Sequence, residues 1–326
     1  MNRVRLFFQD RLTHFLGTVH EPWYTILNGF ANRLILLRHP ERITHPGTFC
    51  PEKTFYLIRD TPSTAGLASW YDRVLGYMIR AERKGWIPVV EPQQPALPDD
   101  GDWYAFFKGP SDISPVDACK GRNVVFATTH GVIHKRYSKR NIAVRHRLCE
   151  KIPFSDAARE YADARLPSIF ADAPKPMVGV VFRGTDYRAV GNYRPRGHAK
   201  VPTYETFCEV ISADLKRWRI DDREGEHVFV VTEEQEALEA ILRRFPKCRF
   251  VEKERFADFD IVGGGMSDRR LKSVTRKENN FLYLLDILAL AKCDYLIGWN
   301  VGAVLMALNL NGNRYRDVHM LKTGVN

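Results

Sequence analysis

Residues 179–187 read Gly179-Val180-Val181-Phe182-Arg183-Gly184-Thr185-Asp186-Tyr187, an apolar run that stops at an Arg-Gly-Thr-Asp turn. Taken back to Met177, the run is short, β-branched and bounded by Pro176 and Gly184, which predicts a buried parallel strand from Met177 to Phe182. A charged residue just past the last apolar position lies at the strand's carboxyl end, where open α/β sheets bind ligands. Arg183 at that place suits a diphosphate, because its planar fork donates two parallel charge-assisted hydrogen bonds. Gly184 lets a ligand or a neighbouring loop approach the backbone. The plainer alternative is that Arg183 and Asp186 pair with each other at the strand end.

Outward from this stretch the chain alternates strands and helices. Downstream, a loop over Arg188 to Pro202 leads to a helix from Tyr204 to Arg217, and Val228 to Val231 is a buried strand. Thr232 is placed to cap a helix running to Phe245, with Gln235 as its capping-box partner. Arg249 to Val251 is a short strand, Asn280 to Ala291 a helix, and Tyr295 to Gly298 a strand. The turn Trp299-Asn300-Val301-Gly302 then opens a small-residue helix through Leu308. Upstream, Thr54 to Ile58 is a strand and Ser69 to Lys84 a helix that Gly85 stops. Ile87 to Val90 and Val124 to Thr128 are further strands, and the proline- and aspartate-rich Pro92 to Asp102 is a loop. Gly66 stands where the first helix begins, a place suited to phosphate as well as to an ordinary turn. Alternating β and α with apolar strands implies parallel sheets covered on both faces.

The 326 residues are enough for two domains, 1–165 and 166–326, divided where alanine, proline and aspartate cluster between Glu160 and Lys175. At 44% hydrophobic and 27% charged, the composition is that of a globular protein. The six cysteines show no CxxC spacing, which argues against structural zinc and fits a reducing, cytoplasmic compartment. No run is long enough to span a bilayer, and no signal-peptide pattern stands at the N-terminus. The net charge of +10 points to acidic partners, and much of it sits in Lys135 to Arg140 and Arg145-His146-Arg147. Nucleic acid, anionic headgroups and a nucleotide-sugar diphosphate all fit, and so does a solvated basic helix face. The segment Asn2 to Arg38 reads either as an amphipathic helix on a membrane surface or as one packed on its own domain.

Asp286 interrupts an apolar helix between Leu284-Leu285 and Ile287-Leu288. A carboxylate buried there is costly without a donor. It either pairs with a neighbouring arginine or accepts the N1–H and N2–H donors of a guanine edge, which adenine lacks.

The order of these motifs resembles the GDP-fucose-dependent superfamily of core α1,6-, nodulation and protein O-fucosyltransferases. That family's H-x-R-x-(G/T)-D motif is similar to Val181-Phe182-Arg183-Gly184-Thr185-Asp186, and its strand followed by T-D-D or T-D-E to Val228 through Thr232-Glu233-Glu234. Its L-D-I helix and A-D-(F/Y)-L strand are similar to Leu285-Asp286-Ile287 and Cys293-Asp294-Tyr295-Leu296. Gly66-Leu67-Ala68-Ser69 resembles the family's glycine-rich entry loop. The likeness covers residue 54 to the end, and is closer still to bacterial R-G-T-D-Y proteins linked to polysaccharide synthesis.

The resemblance implies a GT-B-like α/β fold of two Rossmann-like domains facing a cleft. The N-terminal domain would serve the acceptor and the C-terminal one the nucleotide sugar. It implies inverting transfer from GDP-fucose or another nucleotide sugar to a glycan or lipid-linked oligosaccharide, in the cytoplasm or at the inner face of the membrane. No cofactor, no metal and no nucleic acid are expected. Arg183 would hold the β-phosphate, Asp286 would read guanine, and Thr232, Glu233 and Glu234 would line the nucleoside. Asn300 and Gly302 would donate to the phosphates.

This chain departs from the family where Val181 replaces the usual histidine and where Val301-Gly302-Ala303 lacks the expected serine. Gly191 stands where the core enzyme's base would fall, so the base is expected at Asp186 or, on the loop Arg194 to His198, at His198. The D-x-D matches Asp100-Gly101-Asp102 and Asp258-Phe259-Asp260 lie outside the donor motifs and read as surface turns. The competing class is a non-catalytic nucleotide or nucleic-acid binding protein built on the same sheet. A P-loop kinase is disfavoured by the lack of G-x-x-x-x-G-K-[S/T].

Overall fold

The structure, a computed structural model, describes residues 41–59, 66–91, 103–127, 139–184, 201–256 and 273–321. The first sheet contains β1 (Ile43–Thr44), β2 (Phe49–Arg59), β3 (Ile87–Glu91) and β4 (Gly121–Phe126) in the order β1-β4-β2-β3. β2 pairs in parallel with both β3 and β4, while β1 runs antiparallel to β4. The second sheet contains β5 (Val178–Phe182), β6 (Val228–Thr232), β7 (Arg249–Phe250), β8 (Tyr295–Gly298) and β9 (Asp317–Met320). Its order is β7-β6-β5-β8-β9 and every pairing is parallel. This is the α/β, GT-B-like arrangement that the motif order implied.

Central strands follow from their composition. Every residue of β5 and β6 is buried, as expected for β-branched runs covered on both faces. Helix α1 (Leu67–Lys84) buries Leu67, Tyr71, Val74, Leu75 and Met78 at helical spacing. It ends at Gly85, whose φ of 67° is the left-handed conformation that a side chain resists. Helices α2 (Trp103–Phe106) and α3 (Pro115–Cys119) precede β4, and α4 (Lys139–Cys149), α5 (Asp156–Asp163) and α6 (Leu166–Ile169) follow it. Between the strands of the second sheet lie α7 (Tyr204–Arg217), α8 (Gln235–Arg244), α9 (Arg276–Lys292) and α10 (Gly302–Asn311).

One continuous buried core runs from Tyr56, Tyr71 and Trp103 in the first half to Val180, Phe229 and Leu290 in the second. Helix α10 packs on both α1 and α4, so helices of the first half complete the surroundings of the second sheet. A buried polar junction lies within that packing. Arg145 of α4 donates from Nη1 to Oδ1 of Asp72 in α1 at 2.6 Å and to its carbonyl at 3.0 Å. His146 Nδ1 donates to the Asn309 carbonyl of α10 at 2.9 Å.

Several expectations need correction. In the basic stretch Arg145 is buried on Asp72, whereas Arg147 is exposed and pairs with Glu82 of α1, and the side chains of Lys135 to Arg140 lie outside the described residues. Thr232 caps no helix. It is the last residue of β6, paired with Phe182, and its Oγ1 accepts from the Glu234 amide at 3.1 Å. The N-cap is Glu234, held extended by a bridge to Phe256, and Gln235 instead donates to Glu239. The strand expected to reach Thr128 ends at Phe126. Residues between Glu160 and Lys175 carry the end of α5 and all of α6, both packed on α9. The segment Asn2 to Arg38, both D-x-D matches, Asp186 and His198 lie outside the described residues.

Candidate active site at the carboxyl edge of the second sheet

Parallel pairing brings the carboxyl ends of β5, β6, β7 and β8 to one edge, and the charged residues of the motifs leave the strands there. Arg183 follows Phe182 directly, and its Nη1 lies 3.3 Å from Glu233 Oε1. Both side chains are about one-fifth exposed, at 21% and 20%. The second carboxylate oxygen of Glu233 is buried and accepts no hydrogen bond. Gly184 is buried beside them.

Beneath Arg183 lies an aromatic floor. Phe182 meets Trp299 edge-on at 5.5 Å and Phe207 at 5.1 Å. Because β5 and β8 are neighbours, the Phe182–Trp299 contact sets Arg183 beside the turn that opens α10. Asn300 in that turn is exposed. Gly302 begins α10, and a Cβ there would stand 3.2 Å from the Cβ of Ala68 and 3.6 Å from the Ser69 nitrogen. The N-termini of α10 and α1 therefore abut, and a larger residue at 302 would push them apart. At Gly66 a Cβ would meet nothing among the described residues within 4 Å.

Among the described residues neither helix start carries a capping side chain or an acid in its first turn. The N-caps are Val301 and Gly66. Two positive dipole ends in contact repel unless an anion lies between or beside them. With the guanidinium of Arg183 on the adjacent strand, this edge suits a diphosphate.

The remaining motif residues are placed deeper. Thr232 is buried and holds the Glu234 backbone. Glu234, also buried, accepts from the Tyr204 hydroxyl at 3.1 Å through Oε2. Asp286 is 1% exposed, and its partner is a lysine rather than an arginine: Lys253 donates to Oδ2. Burial pushes the Asp286 carboxyl above the usual carboxylate range, opposed by the nearby Lys253 and Arg255 charges. The sequence reading missed Lys253 and Arg255, because Glu252-Lys253-Glu254-Arg255 has the look of a solvated turn. Tyr204 and Trp299 were missed as contributors because aromatic residues at element ends usually signal packing. Among the described residues no cluster of metal-ligating side chains forms, and no helix is long and apolar enough to cross a membrane.

The chain therefore has an α/β architecture of two sheets, with an arginine and two helix starts at one strand edge. Solved structures similar to this chain have that fold. Fucosyltransferase NodZ from Bradyrhizobium shares 14% identity at a TM-score of 0.50, covering 78% of this chain and 93% of its own. POFUT1 in complex with GDP shares 10% identity at a TM-score of 0.50, covering 85% of this chain and 100% of its own. POFUT1 in complex with GDP-fucose shares 9% identity, also at 0.50, covering 85% and 98%. No protein-family description matches the chain, and no curated protein matches it.

Proposed function

We propose that the chain is an inverting, metal-independent glycosyltransferase that transfers fucose from GDP-fucose to a surface or capsular glycan, free or lipid-linked. The observation that carries this reading is Arg183 standing beside two abutting, uncapped helix N-termini at the carboxyl edge of a parallel sheet. The fold shared with a fucosyltransferase and with GDP and GDP-fucose complexes of POFUT1 supports the choice of donor.

In this reading residues 166–326 hold the donor and residues 1–165 serve the acceptor. Arg183 binds the β-phosphate and neutralises the charge that builds on the leaving GDP. Gly302, Asn300 and the Gly66 end of α1 donate to the phosphate oxygens. Glu233 lines the nucleoside with Thr232 and Glu234 behind it, and Asp286 reads the base. With this positive charge already in place, no divalent cation is needed to stabilise the leaving group. The acceptor hydroxyl attacks the anomeric carbon opposite the departing phosphate and inverts it. Asp186 takes its proton, with His198 as the alternative base.

Within the described part of the basic stretch, Arg145 and Arg147 are engaged with Asp72 and Glu82, which supports a nucleic-acid partner poorly there. Thermal unfolding with GDP, UDP, ADP or single-stranded DNA tests the donor class: GDP should raise Tm most. Preferential stabilisation by DNA would overturn the reading. Transfer should persist in excess EDTA, and strict dependence on Mg²⁺ or Mn²⁺ would refute metal independence. Asp186→Asn should lower kcat by about 10²-fold with donor affinity near wild type. If donor binding falls in step with rate, Asp186 is not the base.

A further inference from the structure

The register of the second sheet sets an acid against the arginine on which the transferase reading depends. Phe182 pairs with Thr232, so Arg183 and Glu233 leave β5 and β6 side by side. Arg183 Nη1 lies 3.3 Å from Glu233 Oε1, and both side chains keep about a fifth of their surface in solvent, at 21% and 20%. The backbone on either side of Glu233 is fixed. Its carbonyl accepts from the Phe256 amide at 2.9 Å, and Thr232 Oγ1 holds the Glu234 amide at 3.1 Å. The two nearest acids in sequence face another group: Glu234 and Glu236 accept from the Tyr204 hydroxyl at 3.1 and 3.2 Å. Among the described residues, Glu233 is the acid aimed at Arg183.

A carboxylate beside a phosphate clamp works against it. The guanidinium brings one positive charge, and the starts of α1 and α10 bring about half a charge each. Glu233 offsets part of that field. Its Oε2 is buried and, among the described residues, accepts no hydrogen bond, so the carboxylate stabilises the fold less than a fully paired one would. The donor and the product of a nucleotide-sugar transferase differ in charge at this place. The diphosphate of the donor is esterified at both ends and carries two negative charges. Breaking the anomeric C–O bond leaves its electron pair on the terminal phosphate oxygen. That phosphate now has a free end, whose second proton leaves at about pH 6, so the product carries about three charges at pH 8. The added charge falls on the phosphate assigned to Arg183, and Glu233 stands beside that arginine.

We propose that Glu233 discriminates the donor from the product. It lowers the positive charge of the clamp, tolerates the doubly charged sugar diphosphate and weakens retention of the nucleoside diphosphate, so that the leaving group departs. This rests on the nucleotide-sugar reading above and adds Glu233 to it as a specificity-determining residue.

Calorimetric titration of the full chain at about pH 8 with GDP, the β-methyl ester of GDP and GDP-fucose tests this. The methyl ester keeps two charges and has no sugar, so it separates charge from sugar contacts. Wild type should bind GDP no more tightly than the methyl ester. Glu233→Gln keeps the shape and removes the charge. It should strengthen GDP binding by about 10-fold relative to the methyl ester and GDP-fucose. Glu233→Asp keeps the charge and should keep the wild-type ratio, which separates the charge from any effect of altered packing. A ratio that Glu233→Gln leaves unchanged, or an equal loss for all three ligands, would mean that Glu233 only orients Arg183. Either result overturns the proposal and leaves the transferase reading intact. Failure of wild type to bind any of the three would overturn both.

Discussion

At the carboxyl edge of each sheet an arginine meets a glutamate from the parallel neighbour: Arg59 and Glu91 as the last residues of β2 and β3, Arg183 and Glu233 just past the ends of β5 and β6. The first pair makes two hydrogen bonds. Arg59 donates from Nε at 2.5 Å and from Nη2 at 3.5 Å, its guanidinium lies 4.2 Å over the Phe126 ring, and its side chain is 46% exposed. The second pair meets at 3.3 Å and lies deeper, and among the described residues the second oxygen of Glu233 is buried and accepts no hydrogen bond. The same topology thus yields a surface ion pair in one sheet and a candidate ligand clamp in the other. What differs is the surroundings: the second edge is completed by the starts of α1 and α10, neither neutralised by a cap.

That difference depends on helices of the first half being held against the second sheet, and the Asp72–Arg145 pair is the buried polar link between α1 and α4 under α10. Asp72→Ala leaves the Arg145 guanidinium uncompensated and should lower unfolding free energy by about 3–5 kcal/mol, read from urea denaturation. A loss below about 1 kcal/mol would mean this junction does not hold α1 in place.

The next test sets the two arginines against each other. Arg183→Ala should abolish transfer and weaken GDP binding by about 2–4 kcal/mol, and Arg183→Lys should fail too because a point charge cannot replace the fork. Arg59→Ala, at an exposed pair, should change stability by no more than about 1 kcal/mol and leave GDP affinity as it is. Equal effects of the two alanine variants on GDP binding would erase the distinction.

A smaller effect sharpens the picture of the junction's outer rim. Hydrogen bonds from Arg147 and then Lys151 hold the Glu82 carboxyl down to about 2, from an ordinary value of 4.5. The folded value lies below the unfolded one, so this stabilisation is complete above pH 4.5 and is lost as pH falls through about 2. Glu82→Gln should flatten the acid limb of stability in that window by less than about 1 kcal/mol, since the pair is exposed. An unchanged acid limb would show that the rim contributes nothing.

The local pattern was legible wherever one segment carried its own signal. The β-branched run ending at Arg183, the helix Tyr204–Arg217, the strand Tyr295–Gly298 and the stop at Gly85 stand where periodicity and turn chemistry put them. Asp286 could be singled out because one charge in an apolar helix breaks a rule visible in a single line of sequence. Thr232 misled because a threonine before a polar run scores as a cap, whereas strand pairing with Phe182 keeps it in the ladder. The short α2 escaped notice because four residues carry no period, although Trp103 and Phe106 are fully buried.

The sequence by itself determined the alternation of strands and helices, the parallel sheet and the charged residue at its carboxyl end, since each is encoded by neighbours a few positions apart. Only the tertiary structure decided that Arg183 meets Glu233, that the starts of α1 and α10 abut at Gly302, that Arg145 turns inward to Asp72, and that Lys253 rather than an arginine holds Asp286. Those contacts join residues from about 30 to more than 230 positions apart, and local periodicity carries no record of which distant side chains a packed core brings together.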